Sequence, residues 1–228
     1  MFKNRSYKKE LLDGENIPTK DLYQNLKELD TINNLLGGYN ITFNALQKIV
    51  DKNKTYTLVD IGSGGGDTLK HIQKWRDKNN YNLTLFGVDL KQACIDYSEL
   101  NNNTGITFIC DDYRNVFNHV SKVDIIHACL FCHHLSEQEI IDLIKFCLDN
   151  KITLIVNDLE RNAFAHYAIK FLTYVFSKSY LVKNDAPLSV LRGFKLKEWQ
   201  SILQQSAAKK YTIQYKWAFR HEVIVYAE

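Results

Sequence analysis

Tyr56-Thr57-Leu58-Val59-Asp60-Ile61-Gly62-Ser63-Gly64-Gly65-Gly66-Asp67 joins a run of aromatic, β-branched and apolar side chains to a turn holding four glycines. Residues 56–61 are too few for a buried helix and read as a buried strand. Beyond the turn, Leu69, Ile72 and Trp75 recur at helical spacing. A strand that passes into a helix through residues without side chains lets a ligand approach the backbone at the carboxyl edge of a sheet. A nucleotide-like ligand is therefore expected there. The dinucleotide pattern G-x-G-x-x-G/A, begun at Gly62 and Gly64, needs a small residue at 67 and meets Asp67 instead. Asp60 and Asp67 flank the turn, so a pyrophosphate would be repelled and a ligand carrying ammonium or sulfonium charge attracted.

Short apolar runs recur at 83–88, 106–110, 123–128 and 152–156, each followed by polar or turn residues. Between them lie the helical patterns Ala93/Tyr97/Leu100 and Ile140/Ile141/Ile144/Leu148, the latter opened by the capping box Ser136-x-x-Glu139. This alternation predicts an α/β fold whose sheet is mostly parallel, with helices on both faces and right-handed crossovers. Toward the N-terminus, Leu22, Leu26, Leu29, Ile32 and Leu36 predict a helix over 19–36 with Thr19 as N-cap and Gly37-Gly38 as its stop. At the other end, Tyr211, Ile213, Tyr215, Trp217 and Phe219 alternate with polar or small residues, and a brief link leads to 222–227. Two strands so joined pair antiparallel. The chain reads as one domain over 1–228, with an N-terminal helical cap at 1–50 and an aromatic-rich, lid-like insert at 160–194.

Composition narrows the partners. With 29 basic and 26 acidic side chains, the net charge of +3 is spread without a basic block, so neither nucleic acid nor an anionic membrane is expected as a partner. A small molecule is. No apolar stretch approaches the roughly 18 residues of a bilayer span, and the first residues lack the apolar core of a secretory signal. A soluble, cytoplasmic protein is expected, its five cysteines reduced.

Asp89 closes the second strand 23 residues after Gly66, near the spacing at which an acidic side chain meets ribose hydroxyls. Asp111 and Asp112 follow the third strand, where a carboxylate accepts from an adenine amino group, and Leu90 is placed to pack on the base. Singly, such residues are often helix caps. Three strand ends beside a glycine turn favour a shared ligand.

Through 59–66, Gly87-Val88-Asp89 and Cys110-Asp111-Asp112, the chain resembles the class I S-adenosylmethionine (SAM) dependent methyltransferases over roughly residues 55–160. The resemblance implies a Rossmann-like sheet of seven strands, the last inserted antiparallel. It implies SAM as cofactor and S-adenosylhomocysteine (SAH) as product. Asp60, Gly62, Ser63 and Gly64 would line the methionine part, Asp89 the ribose and Asp111 the adenine, with Leu90, Asp112 and Ala128 completing the cofactor wall. The segments at 36–38, 133–135, 157–159 and 189–194 resemble a bacterial small-molecule subgroup akin to ubiquinone and menaquinone methyltransferases. After the fourth strand stands His127-Ala128-Cys129-Leu130 rather than the Asn/Asp-Pro-Pro-Tyr box of enzymes that methylate DNA-base or glutamine amino groups.

Methylating a hydroxyl requires an aligned acceptor and a base. His134, and next to it His133, follow the fourth strand where the methyl group should lie, and imidazole has a suitable ordinary pKa. Asn157 and Arg192 are candidates to bind the substrate. The string Cys129-Leu130-Phe131-Cys132-His133 also spells a c-type haem attachment pattern, but without export and without a second ligand pair at zinc spacing it reads as chance. No metal is expected. The leading expectation is a SAM-dependent methyltransferase acting on a hydroxyl, less readily a carbon, of a largely apolar phenol- or quinone-like molecule. A non-catalytic SAM-binding accessory protein and an NAD(P)-dependent oxidoreductase are the alternatives.

Overall fold

The computed structural model describes residues 2–14, 16–100 and 105–227. Seven strands form one sheet in the order β3-β2-β1-β4-β5-β7-β6. They are β1 (Thr55–Ile61), β2 (Asn82–Asp89), β3 (Ile106–Cys110), β4 (Ile125–Cys129), β5 (Thr153–Leu159), β6 (Tyr211–Lys216) and β7 (Arg220–Val225). The first five pair parallel, and β7 runs antiparallel to both β5 and β6. This is the expected Rossmann-like, mostly parallel arrangement with its last strand reversed.

Side chains alternate across the sheet and define two apolar layers. Val59, Ile61, Ile126, Leu154 and Val223 pack with α5 (Glu137–Asp149) and α8 (Leu196–Gln205). Leu58, Leu85, Ile125, Ile155 and Ile224 pack on the other side with α2 (Gly38–Gln47), α3 (Asp67–Asn79) and Ile95 of α4 (Gln92–Leu100). The capping box at the start of α5 forms as expected, Ser136 accepting from the Glu139 amide while the Glu139 carboxylate takes the Ser136 amide.

Several boundaries move, each for a tertiary reason. β5 runs three residues past the predicted 156 because β7 pairs with Asn157, Asp158 and Leu159. β6 ends at Lys216 rather than at Phe219: a three-residue loop closes the hairpin, with Phe219 at φ 59° in the left-handed region. Near the N-terminus, α1 (Thr19–Leu35) begins with Thr19 inside the helix and Pro18 ahead of it, and Gly37 at φ 68° is the hinge from which α2 departs.

Residues 160–194 form α6 (Ala163–Phe176) and α7 (Tyr180–Arg192), packed against each other. Their connection is held by Glu28 of α1, whose carboxylate accepts from the Ser177 hydroxyl and the amides of Lys178 and Ser179. Residues 2–14 lie as a strap along α7 and the loop after β4, with a 3₁₀ turn at Leu11–Asp13. The strap is fastened by the Ser6 amide on Leu191 O and by Asp185, which accepts from the amides of Leu11 and Leu12. No helix among the described residues is long and apolar enough to cross a membrane.

Candidate functional site

A cavity of about 650 Å³ opens at the carboxyl ends of β1 to β5, where the strands deliver their loops. Its floor carries the glycine turn and the strand-end carboxylates Asp60, Asp89, Asp111 and Asp112, together with Asp67. Much of the rest of the lining is apolar, supplied by Leu26, Leu29 and Ile32 of α1, Leu26 lying against the glycine turn, and by Ala168, Ile169 and Leu172 of α6. The strap contributes Glu10, Leu12 and Asp13.

The turn is built for close approach. Gly62 stands at φ 63°, and a Cβ there would lie 2.2 Å from the Phe131 ring. No side chain other than hydrogen fits. Asp89 braces the turn, its carboxylate accepting the Gly64 amide and the Lys91 amide at 2.9 Å each. Burial pushes the Asp89 carboxyl above its ordinary range against those two hydrogen bonds. Leu90 is 72% exposed and lines the cavity beside it.

Asp60 is buried at the end of β1. His127, its register partner on β4, places Nδ1 2.7 Å from Asp60 Oδ1 and Nε2 3.0 Å from the Thr42 hydroxyl of α2. A carboxylate only accepts, so the imidazole donates through Nδ1 and accepts the Thr42 proton at Nε2. Asn157 continues the chain, giving its amide protons to Thr42 Oγ1 and Gly38 O. At the start of α3, burial holds Asp67 at about 6 although Tyr39 donates a hydrogen bond to it.

After β4, residues 132–134 form a 3₁₀ turn that brings both histidines to the cavity wall. His133 Nδ1 lies 2.7 Å from Asp158 Oδ1, and its amide donates to Asp158 Oδ2. Burial alone would raise the Asp158 carboxyl, but His133 outweighs it and holds the group low. His134 Nδ1 lies 3.0 Å from Asp13 Oδ1. Asp13 is brought down to about 2, with the His134 hydrogen bond and charge overcoming its partial burial. Facing both rings from the strap is the Glu10 carboxyl, pushed up to about 7 by burial against the opposing influence of His134, Ser189 and Arg192.

The expected site residues divide. Asp60, Gly62, Ser63, Gly64, Asp89, Leu90, Asp111, Asp112, His133 and His134 all line the one cavity. Asp112 also caps the 3₁₀ turn at Tyr113–Asn118 and pairs with Arg114, while Asp111 accepts from Asn115 and His119. Ala128, Asn157 and Arg192 stand behind the lining. Ala128 and Asn157 are fully buried, Asn157 consumed by Gly38, Thr42 and Arg220. Arg192 gives its guanidinium to the carbonyls of His133, His134 and Lys8 and to Asp13, tying α7 and the strap to the histidine turn. Cys132 lies in the core, its thiol raised by burial, while Cys129 reaches the cavity.

Residues that the strand-end pattern does not single out include His127, Phe131, Glu10 and Asp13. An imidazole inside an otherwise apolar strand was the available signal for His127. Locally Glu10 and Asp13 form only the capping pair of the 3₁₀ turn, the Glu10 amide donating to Asp13 Oδ2, and the histidines they meet lie more than a hundred residues away.

The residues present fit a polar nucleoside. The side-chain polar atoms Ser63 Oγ, Asn25 Nδ2 and Asn33 Oδ1 are buried at the cavity without a partner among the described residues, an arrangement that a ligand rich in donors and acceptors would complete.

Residues 58–150, from β1 to α5, match the family model described as a methyltransferase domain. No curated protein matches the sequence. Among solved structures, the plantazolicin methyltransferase BpumL in complex with SAH is similar at 18% identity and a TM-score of 0.63, over 92% of this chain and 95% of that one. The same enzyme with a triazolic desmethylPZN analog and SAH gives 16% identity and a TM-score of 0.65, over 92% and 91%. The citrinin polyketide synthase CMeT domain gives 12% and 0.55, over 77% of this chain and 47% of that one. The methyltransferase-domain match thus spans the part of the sheet that carries the glycine turn and the strand-end carboxylates, and the likeness to these solved methyltransferases is one of fold.

Proposed function

We propose that the protein methylates a hydroxyl, less readily a carbon, of a largely apolar small molecule such as a phenol or quinone-like ring. The observation that carries this reading is that carboxylates and the glycine turn share one cavity with apolar side chains of α1 and α6. When bound, SAM supplies a methyl group on a positively charged sulfur. Asp60, Asp67 and the open backbone at Gly62, Ser63 and Gly64 favour its cationic amino-acid end, while Asp89 and the Asp111–Asp112 pair, with Leu90, suit the ribose and base.

The acceptor's oxygen must be aligned with the methyl carbon and relieved of its proton. His134 is the favoured base. Asp13 holds its Nδ1–H, leaving the Nε2 lone pair toward the strap and cavity, and His133 is oriented in the same way by Asp158. The helices α6 and α7 with the strap act as a lid-like cover over one domain, Arg192 positions the histidine turn, and Asn157 holds Thr42 and Arg220. The fold likeness to a plantazolicin methyltransferase adds azole-bearing compounds to the acceptors worth testing.

Calorimetry with SAH and turnover of labelled SAM on a panel of phenols, quinols and azole compounds tests the reading. SAH is expected to bind, and His134→Ala is expected to lower turnover by about 10²-fold or more while SAH affinity holds. Indifference to SAH would remove the reading. SAH binding without turnover of any acceptor would favour a SAM-binding accessory role instead.

A further inference from the structure

We infer that Glu10, His133 and His134 form a three-ligand site for a divalent transition ion of the zinc class on the wall of the cavity. His133 Nε2 lies 3.6 Å from Glu10 Oε1 and His134 Nε2 lies 3.8 Å from Glu10 Oε2. One ligand atom from each of the three residues lies within 4.8 Å of the other two. The nitrogen–oxygen separations are too long for hydrogen bonds. They are near the spacing of atoms that share one ion, since metal–ligand lengths of about 2.0–2.2 Å set tetrahedral neighbours roughly 3.4 Å apart.

The outer contacts are those a metal site needs. Each imidazole gives its Nδ1–H to a separate carboxylate, His133 to Asp158 and His134 to Asp13. Metal-bound histidines are oriented in this way, with the tautomer set by the second nitrogen. Both Nε2 lone pairs are thereby turned toward the Glu10 oxygens, which when ionised also only accept. A proton on one atom relieves one of these contacts; a cation relieves both. Acidic side chains surround the two rings, Asp158 on His133, Asp13 on His134 and Glu10 facing both, with Arg192 reaching Glu10 and Asp13. The Ser189 hydroxyl donates to Glu10 Oε1, holding the carboxylate from behind.

The expectation of no metal rests on the missing second ligand pair around residues 129–134 and on the lack of clustered carboxylates after the fourth strand. The carboxylate lies 123 residues upstream of His133 and reaches it only through the strap. All three residues line the cavity, so a remaining coordination position takes an oxygen donor from solvent or acceptor. Resting on the methyl transfer proposed above, His134 would be the base in the ion-free protein, whereas with the ion bound it would be a ligand and the ion would acidify a coordinated hydroxyl whose proton passes to solvent.

The test uses the full chain, dialysed against a chelator and titrated with zinc chloride by calorimetry, alongside a titration with SAH. Uptake of one zinc per chain with a raised melting temperature is expected. Asp13→Asn should weaken it about 10–100-fold, and Glu10→Gln and His134→Ala more strongly. Cobalt(II) should give visible ligand-field bands without a thiolate charge-transfer band, which separates this site from the five cysteines. The inference is overturned by absence of uptake, by a thiolate band, or by undiminished uptake in Glu10→Gln and Asp13→Asn variants that melt as the parent does. Loss of zinc binding with SAH binding intact removes the metal site alone, whereas zinc uptake without SAH binding leaves the site and removes the methyl-transfer reading.

Discussion

Asp60 and His127 face each other across the β1–β4 ladder, and the imidazole donates Nδ1–H to the carboxylate over 2.7 Å. Both side chains are buried, so neither keeps solvent as a partner. Thr42 at Nε2, itself held by Asn157, sets the ring and through it the carboxylate that faces the cavity. Removing His127 leaves a buried carboxylate unpaired, and His127→Ala is expected to cost about 3–5 kcal/mol in urea unfolding and to weaken SAH binding. Thr42→Val, which removes a neutral partner, should cost about 1 kcal/mol. Equal losses in the two variants would contradict this ordering.

Gly62→Ala should abolish or severely weaken SAH binding. Its positive φ strains any side chain, and the added carbon meets the Phe131 ring at 2.2 Å. Shortening the ring in Gly62→Ala/Phe131→Ala should recover part of the affinity. A double variant no better than the single one would place the whole effect in the backbone.

SAM affinity should rise with pH through the range set by Asp67, which burial holds at about 6. The ionised carboxylate attracts the cationic ligand and the protonated form does not, so binding releases a proton and tightens from about pH 5 to about pH 7. For the free protein the sign is opposite. A raised carboxyl pKa contributes stability below the ordinary value of 3.8 that is lost as pH climbs through about 6. Asp67→Asn should flatten both profiles, measured by calorimetry and by thermal melting across pH.

An apolar acceptor should depend on α6 in a way that SAH does not. Ile169→Asp puts a charge on the apolar wall, and KM for a phenolic acceptor is expected to rise tenfold or more, about the discrimination that one or two methylenes provide. SAH affinity should stay within about twofold, because its expected contacts lie on the sheet side of the cavity. Matching losses in both would argue against separate walls.

Glu28 binds α1 to the turn between α6 and α7 through one hydroxyl and two amides. Glu28→Ala is expected to cost about 1–3 kcal/mol and to speed amide exchange at Lys178 and Ser179. Unchanged exchange there would show that the insert is held by its apolar contacts instead.

Much of the framework was legible because its causes are local. The run at 56–61, the glycines after it and the spacing of Leu69, Ile72 and Trp75 specify a strand, a turn and a helix through neighbours in the chain, and β1 and α3 follow. Residues 106–110 coincide with β3 for the same reason. Where an element's end depends on a distant partner, the reading stopped short: β5 continues to Leu159 because β7 lies beside it.

The sequence by itself determined the sheet class, the closing antiparallel hairpin, the glycine turn and the carboxylates at the strand ends, all written in periodicity and short spacings, while the last strand's reversed place within the sheet came only with the family resemblance. Only the tertiary structure decided what those groups touch. It brought Glu10 and Asp13 over the histidine turn, paired Asp60 with a histidine inside β4, and drew Asn157 and Arg192 behind the cavity lining. The physical reason is that buried polar groups must find partners, and the folded chain supplies them from segments whose separation along the sequence leaves no local trace.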